Sequence, residues 1–441
     1  MMNDKQNFVG KYRQIEGIKK QTLEIGRNRL LLTGIVFGAA FAGIVCRLID
    51  LTILNHTSEP RATNVSAIEH SATGRSNIID RNGMILAVSL PTVSLSADPA
   101  KIIDIDEAAN GLAAVFPDIG REEMIARLSA KNRFCWLARN LTPKQHQDVI
   151  RLGIPGLDFH RSERRVYPNG RLVSHILGVT DVDGHGIAGI EKHFDQSLRH
   201  NGKPLRLSID LRVQSILRDA LAASMLEFKS VGATGLVMDV RTGEVLAMVS
   251  LPDFDPNRPL YMADGALFNR ATKGVYEMGS TFKLFTAAMA LDSGTISMSD
   301  GYDASKPIRI ASFTIRDFHA KNRWLSVPEI ILHSSNIGAA KMAIELGGTV
   351  QRLYLGKFGM LKPAQLEIPE VGAPLMPSVW RPINTMTISY GHGISVSPLQ
   401  VVAGVSALVN RGVYRPPTLI KVDGEPRTGK RVVTAETSKK I

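Results

Sequence analysis

Cysteine is nearly missing from this chain: there are two in 441 residues, Cys46 and Cys135. Cys46 sits inside an apolar run, so a disulfide between the two is not expected and a cross-linked framework is excluded. The pair says little about redox compartment. Metal chemistry lacks its ligands as well, because the eleven histidines fall at no ligand spacing. The formal charge is +12, yet the basic residues are scattered, with neither zinc-finger spacing nor an RNA-binding signature, so no nucleic acid partner is expected. Work beside anionic lipid or cell wall fits that charge equally well. The glycine-rich stretch from Gly184 to Glu191 lacks the strand and helix context of a nucleotide loop. Apolar residues are plentiful at 44%, enough for sizeable cores in two or three domains.

One long uncharged run is present. Leu30 to Cys46 is seventeen residues without charge, between Arg29 and Arg47, the short end of a spanning helix. The apolar character resumes beyond Arg47, which can snorkel, so an anchor over 30–54 is expected. Residues 1–29 hold seven Lys/Arg against three Asp/Glu, and residues 48–70 hold only Arg61 among the basic residues. That asymmetry puts the N-terminal tail in the cytoplasm and the rest across the membrane. A cleaved signal peptide is the alternative. The long basic leader and the lack of an A-x-A site favour an uncleaved anchor. Gly34 and Gly38 form a small-xxx-small face suited to docking on another membrane helix.

Residues 55–225 read as a module of mixed structure, a spacer and docking platform. Ile78 to Leu86 reads as strand, turn and strand around Asn82-Gly83. Residues 106–130 and 142–152 look helical. A new unit starts near Val231, where two apolar strands flank Arg241-Thr242-Gly243 as a hairpin.

The chemistry concentrates in Tyr276-Glu-Met-Gly-Ser-Thr-Phe-Lys283. A run of good helix formers follows it. If Ser280 opens that helix, Ser280 and Lys283 share one face about one turn apart, and the helix is expected to pack on the hairpin. A serine hydroxyl is a poor nucleophile until a base takes its proton, and a buried lysine can be that base. The helix N-terminus can hold a developing oxyanion. A second element, His333-Ser-Ser-Asn-Ile-Gly338, presents Ser334 and Asn336 two residues apart. A second hydroxyl can relay a proton, and an amide can hold Lys283 and a substrate peptide bond. Ordinary loop capping is the other reading of Ser334 and Asn336.

With S-x-x-K and S-x-N together, the chain resembles the penicillin-recognising serine transpeptidases, and more closely the class B penicillin-binding proteins of the division-specific (FtsI-type) branch. Further segments carry the likeness: Asp80-Arg-Asn-Gly83, Arg165-Val-Tyr-Pro168, Gly189-Ile-Glu191, Met238 to Met248, Pro252 to Asn257, and Gly391-His-Gly-Ile-Ser-Val-Ser-Pro-Leu-Gln400. Ser334-Ser335-Asn336 favours the division branch, since the elongation branch more often shows S-x-D. The resemblance implies an α+β chain: a cytoplasmic tail over 1–29, a transmembrane anchor over 30–54, a pedestal domain over 55–225, and a transpeptidase domain over 226–441 with an antiparallel sheet flanked by helices. It implies Ser280 as the acylated nucleophile, Lys283 as general base, Ser334 as proton shuttle and Asn336 as substrate orienter.

The implied reaction joins stem peptides of septal peptidoglycan, with β-lactams acylating the same serine and no cofactor required. The implied partners are a septal glycan polymerase and other division proteins, met through anchor and pedestal. The implied place is the inner membrane, single-pass, with the catalytic domain periplasmic. Met278 stands where the family often has proline, and Ser76 where glycine is common. The K-T-G strand that the family carries downstream is not found. Arg427-Thr428-Gly429 follows Asp423-Gly-Glu-Pro426 and reads as a surface turn, so the chain is expected to be truncated before that strand. Two alternatives follow: a non-catalytic membrane scaffold, or a carboxypeptidase or β-lactamase-like hydrolase. Labelling by a fluorescent penicillin is expected to be weak or absent in the 441-residue chain.

Overall fold

The computed structural model describes residues 31–45 and 74–441, apart from 201, 259–264, 311–312 and 427. It divides into two units, Met1–Glu69 and His70–Ile441. In the first, residues 31–45 form helix α1, with every side chain exposed. No helix among the described residues is long and apolar enough to cross a membrane. The tail over 1–29, the remainder of the expected anchor and Cys46 lie outside the described residues.

The second unit begins with the expected strand–turn–strand. Strand β1 (Ile78–Ile79) pairs antiparallel with β2 (Ile85–Ala97), Ile78 opposite Ala87. The turn is built by Asp80, whose carboxylate accepts the N–H groups of Asn82 (2.7 Å) and Met84 (2.9 Å), and by Gly83 at φ +90°. These are the Asx-turn and the left-handed position that Asn-Gly supplies. Helices α2 (Ile105–Val115) and α3 (Arg121–Leu128) follow. The stretch over 106–130 is thus two helices. Pro117 disfavours helical backbone at Phe116, which turns out to φ −121°, ψ 72°.

Strand β3 (Cys135–Leu141), helix α4 (Pro143–Leu152) and strand β4 (Leu157–Val166) complete this layer. α4 opens with a Thr142/Gln145 capping box and closes on Gly153 at φ +63°. β2 is the spine of the sheet, with β3 and β4 antiparallel on either side. Its inward residues Leu95 and Ala97 meet Leu112, Met124, Leu137 and Val149 in one apolar cluster.

Short helices α5 (Ser174–Leu177), α6 (Gly189–His193) and α7 (Asp195–His200) carry the chain back to β5 (Leu205–Arg206), parallel to β1. The glycine-rich stretch serves packing here. A Cβ on Gly186 would lie 2.0 Å from the Glu191 carbonyl oxygen. Glu191, fully buried on α6, receives Arg75 Nε at 2.5 Å and Arg165 Nε at 2.7 Å. Arg75 also reaches Asp195 at 2.7 Å.

Helix α8 (Leu211–Phe228), capped by Asp210, packs on the hairpin of β6 (Ala233–Met238) and β7 (Val245–Leu251). The residue 225 boundary lies within α8. Ile78, Leu86, Ile176, Val245, Met248 and Leu399 share one core, so the first sheet and the hairpin are packed together.

Helix α9 (Phe282–Asp292) follows Ser280. Next come the small antiparallel pairs β8 (Gly301–Asp303) with β11 (Trp324–Ser326), and β9 (Ile308–Ile310) with β10 (Phe313–Ile315). Then follow α10 (Val327–Leu332), α11 (Asn336–Leu346), α12 (Gly348–Lys357), α13 (Pro382–Ile388) and α14 (Pro398–Val409). The described chain ends with β12 (Val413–Tyr414), β13 (Lys430–Arg431) and α15 (Ala435–Lys440).

The expected packing of α9 on the hairpin is corrected. Helix α14 packs on β6, and a Cβ on its Gly404 would meet the Phe285 ring of α9 at 3.0 Å. α9 is apolar on nearly every side, with Phe282, Phe285, Ala288 and Met289 fully buried. A helix of that kind has to be covered all round. Leu346, Leu355, Phe358, Val401 and Leu408, from α11, α12, α14 and the segment after α12, supply most of the cover.

Candidate active site

Ser280 lies in a single 3-10 turn, Gly279–Thr281, that leads into α9. Gly279 takes φ +55° there. The turn is held from behind by the segment that starts at Gly391. Gly279 N–H donates to the Gly391 carbonyl (3.3 Å), and Tyr276 pairs with Val396 in an antiparallel bridge. Gly391 has φ +78°, and a Cβ on it would stand 2.2 Å from the Gly279 carbonyl oxygen. No side chain fits at that approach. Glu277 ties the same segment from the front, accepting Gly393 N–H at 2.7 Å and pairing with His392 Nδ1 at 2.7 Å. The Gly393 amide, ahead of His392, holds the Glu277 carboxyl below its ordinary value.

Helical spacing brings Lys283 one turn beyond Ser280, as expected. The Lys283 amine is buried, with 2% of the residue exposed, while Ser280 is exposed. Nζ lies 3.1 Å from Ser280 Oγ, 2.8 Å from Ser334 Oγ and 2.7 Å from the Ser334 carbonyl oxygen. Ser334 Oγ in turn lies 2.8 Å from Ser280 Oγ. The three side chains therefore close a triangle. Burial pushes the Lys283 pKa down to about 8, against a weaker upward pull from Asp317. A neutral amine in this position donates two hydrogens to the oxygens of Ser334 and turns its lone pair toward the Ser280 proton.

Asn336 opens α11 beside Ser334, but its amide nitrogen donates to the Arg316 carbonyl (3.0 Å). The expected hold of Asn336 on Lys283 is not made. The amine's three contacts all go to the two serines. The helix cap belongs to Ser335, which accepts Gly338 N–H at 2.9 Å. Ser335 donates to Asp317 Oδ2 at 2.7 Å, and Asp317 Oδ1 accepts Ile337 N–H at 2.9 Å. The sequence gives no role to Asp317 or Glu277, and none of its own to Ser335 within the S-x-N triplet. No local pattern marks Asp317, which meets the S-x-N turn only through the fold.

A groove of about 1260 Å³ runs along α12 with Trp380 and Tyr414, and none of Ser280, Lys283, Ser334 or Asn336 lines it. Thr428 and Lys430 do, so what is described of the Arg427-Thr428-Gly429 turn borders that groove. Among the described residues, no group of three or more His, Cys, Asp or Glu side chains is placed to hold a metal ion.

Comparison with known proteins gives this geometry its context. Residues 233–441 match the penicillin binding protein transpeptidase domain, and residues 70–203 match the penicillin-binding protein dimerisation domain. The chain belongs to the penicillin-binding protein transpeptidase family. It is 38% identical over 369 residues to a probable peptidoglycan D,D-transpeptidase FtsI of Caulobacter vibrioides, covering 82% of this chain and 62% of that protein. It is 31% identical to the peptidoglycan D,D-transpeptidase FtsI of Escherichia coli K12, covering 83% and 67%. It is 30% identical to a probable peptidoglycan D,D-transpeptidase PenA of Neisseria meningitidis serogroup A, covering 97% and 78%. The chain thus spans about three-fifths of the length of the Caulobacter relative. A solved peptidoglycan synthetase from Bifidobacterium adolescentis shares the fold, with a TM-score of 0.64 at 22% identity over 83% of this chain and 79% of that one. The α+β architecture with dimerisation and transpeptidase domains is that of penicillin-binding proteins.

Proposed function

We propose that this chain carries the acylating half of a D,D-transpeptidase site, working on stem peptides of septal peptidoglycan and open to β-lactams. The observation that carries the reading is the closed triangle of Ser280, Lys283 and Ser334 around a buried amine. Lys283 takes the Ser280 proton as Ser280 Oγ attacks the carbonyl between the two terminal D-alanines. Ser334 relays that proton to the departing D-alanine amine. An amine on a neighbouring strand then displaces Ser280 from the acyl-enzyme. Asn336, at the mouth of the site, orients the substrate peptide.

In this reading residues 30–54 anchor the chain in the inner membrane with the tail over 1–29 in the cytoplasm. Residues 55–225 form a pedestal, and residues 226–441 stand in the periplasm. The septal glycan polymerase and other division proteins dock on anchor and pedestal. The relatives named D,D-transpeptidases support the substrate class.

The test is incubation with a synthetic stem pentapeptide, with and without an amine acceptor, followed by mass spectrometry of the Ser280 peptide and of released D-alanine. Acylated Ser280 and acceptor-dependent cross-linked product are expected. Release of D-alanine that ignores the acceptor would make the chain a hydrolase. No acylation at all would leave it a scaffold.

A second outcome follows from the close approach at Gly391. Gly391→Ala is expected to push the Ser280 turn outward and slow acylation by a fluorescent penicillin about 10²-fold. A stopped-flow or gel time course reads this directly. An unchanged rate would show that the turn does not depend on that contact.

A further inference from the structure

Ser280 and Lys283 are fixed to each other by one helix, but Ser334 arrives from some fifty residues away and has to be held onto the amine. Its own conformation is unfavourable, with φ +54° on a residue that has a side chain. Backbone of this kind persists only where the surroundings impose it. The restraint is visible in the residues that follow it. Ser335 gives its proton to one oxygen of Asp317, and Ile337 gives its N–H to the other. Arg316, next in the chain, accepts from Asn336. Two consecutive residues, 316 and 317, thus bind three consecutive residues, 335 to 337.

The geometry points to Asp317 as the positioning residue of the site: its carboxylate clamps the 334–337 turn so that both oxygens of Ser334 stay on the Lys283 amine. The catalytic meaning of the clamp rests on the acyl-transfer reading above; the clamp itself does not.

Asp317 is also the charged group that acts on Lys283. The other charged side chains nearby are otherwise engaged. Glu277 and His392 hold each other at the mouth. On α11, Lys341 binds the Asp303 carbonyl and Glu345 takes the Tyr302 hydroxyl. On α12, Arg352 and Lys357 lie over the Trp380 and Tyr354 rings. On α15, Glu436 pairs with Lys440. At the far end of α9, Asp292 serves Tyr354 and Thr434. His333 adjoins the turn without a charge partner in this set.

The test uses the whole 441-residue chain with ¹³C-labelled lysine side chains, titrated by NMR, alongside acylation by a fluorescent penicillin. In the parent, Lys283 is expected to titrate near about 8. Asp317→Asn keeps the shape and one acceptor but removes the negative charge, so Lys283 titrates at lower pH and most of the acylation rate survives. Asp317→Ala leaves the Ser335 hydroxyl proton and the Ile337 N–H without their acceptor, and acylation falls at least about tenfold. Ser335→Ala, which removes one of the two bonds from the other side, is expected to slow acylation less. Parent titration and parent acylation in all three variants would overturn the proposal. If the parent is not acylated, the acyl-transfer reading of this chain fails. The Lys283 titration in Asp317→Asn and Asp317→Ala then still decides the clamp.

Discussion

Lys283→Met is expected to slow acylation of Ser280 by about 10³-fold, the size of a lost general base. Methionine fills the same space without an amine, so the loss would not come from a cavity. Ser280 and Ser334 would keep their 2.8 Å contact, but neither hydroxyl can take the other's proton at neutral pH. The parent rate carries a pH signature from the same group. Only the neutral amine accepts a proton, and burial places its pKa at about 8. Acylation should therefore rise with pH through about 8, fall tenfold per unit below it, and lose this limb in Lys283→Met.

Stability has its own sign. Burial depresses the folded-state pKa of Lys283 below the ordinary lysine value of about 10.4, so across that window the unfolded chain binds more protons. The lysine's contribution to stability improves as pH rises from about 8 to about 10.4. Below 8 the cost of burying an ammonium is carried in full. Lys283→Met at neutral pH is therefore expected to keep or raise the melting temperature while acylation collapses. A variant that lost both together would mean that Lys283 acts through the fold and not through the proton.

Glu191→Ala is expected to destabilise the chain by about 3–5 kcal/mol, the cost of breaking a buried pair from one side. Glu191 is wholly inaccessible, and its two oxygens serve two guanidinium groups whose side chains are 5% and 3% exposed. Arg75 would keep Asp195. Arg165 would be left with neutral oxygens alone, the Ser76 carbonyl at 2.9 Å and Ser89 Oγ at 3.3 Å. A buried cation with no anion beside it has no inexpensive arrangement. The network ties residue 75, strand β4 and helix α6 together, so the loss should appear first in the sheet around β2. Urea unfolding followed by far-UV circular dichroism gives the magnitude, and hydrogen exchange of β2 and β4 gives the place. A change under about 1 kcal/mol would mean that the pair behaves as a surface ion pair.

Much of this was legible in the sequence where local rules are strong. Asn82-Gly83 announced a turn because few residues reach φ +90°. The interval from Ser280 to Lys283 put both on one face because helix geometry allows nothing else. The hairpin at 233–251 followed from two apolar strands around Arg241-Thr242-Gly243. Legibility failed where a partner comes from far along the chain. Asp317 lies 18 and 20 residues from the groups it binds, and the Glu277–Gly393 contact spans 116. No periodicity links such positions. The packing of α9 was misjudged for a related reason. Its apolar residues show that it is buried, but not that α14, more than a hundred residues later, comes between it and β6. Asn336 stands beside Ser334, but its amide binds the Arg316 carbonyl, 20 residues away, and no local pattern shows that.

The most direct test of the central claim is intact-mass analysis of the chain after prolonged exposure to benzylpenicillin, with peptide mapping of any adduct. The account predicts one slowly formed covalent adduct, on Ser280, absent from Ser280→Ala and formed faster as pH rises through about 8. An adduct on another residue, an adduct that survives Ser280→Ala, or no adduct at any pH would contradict it.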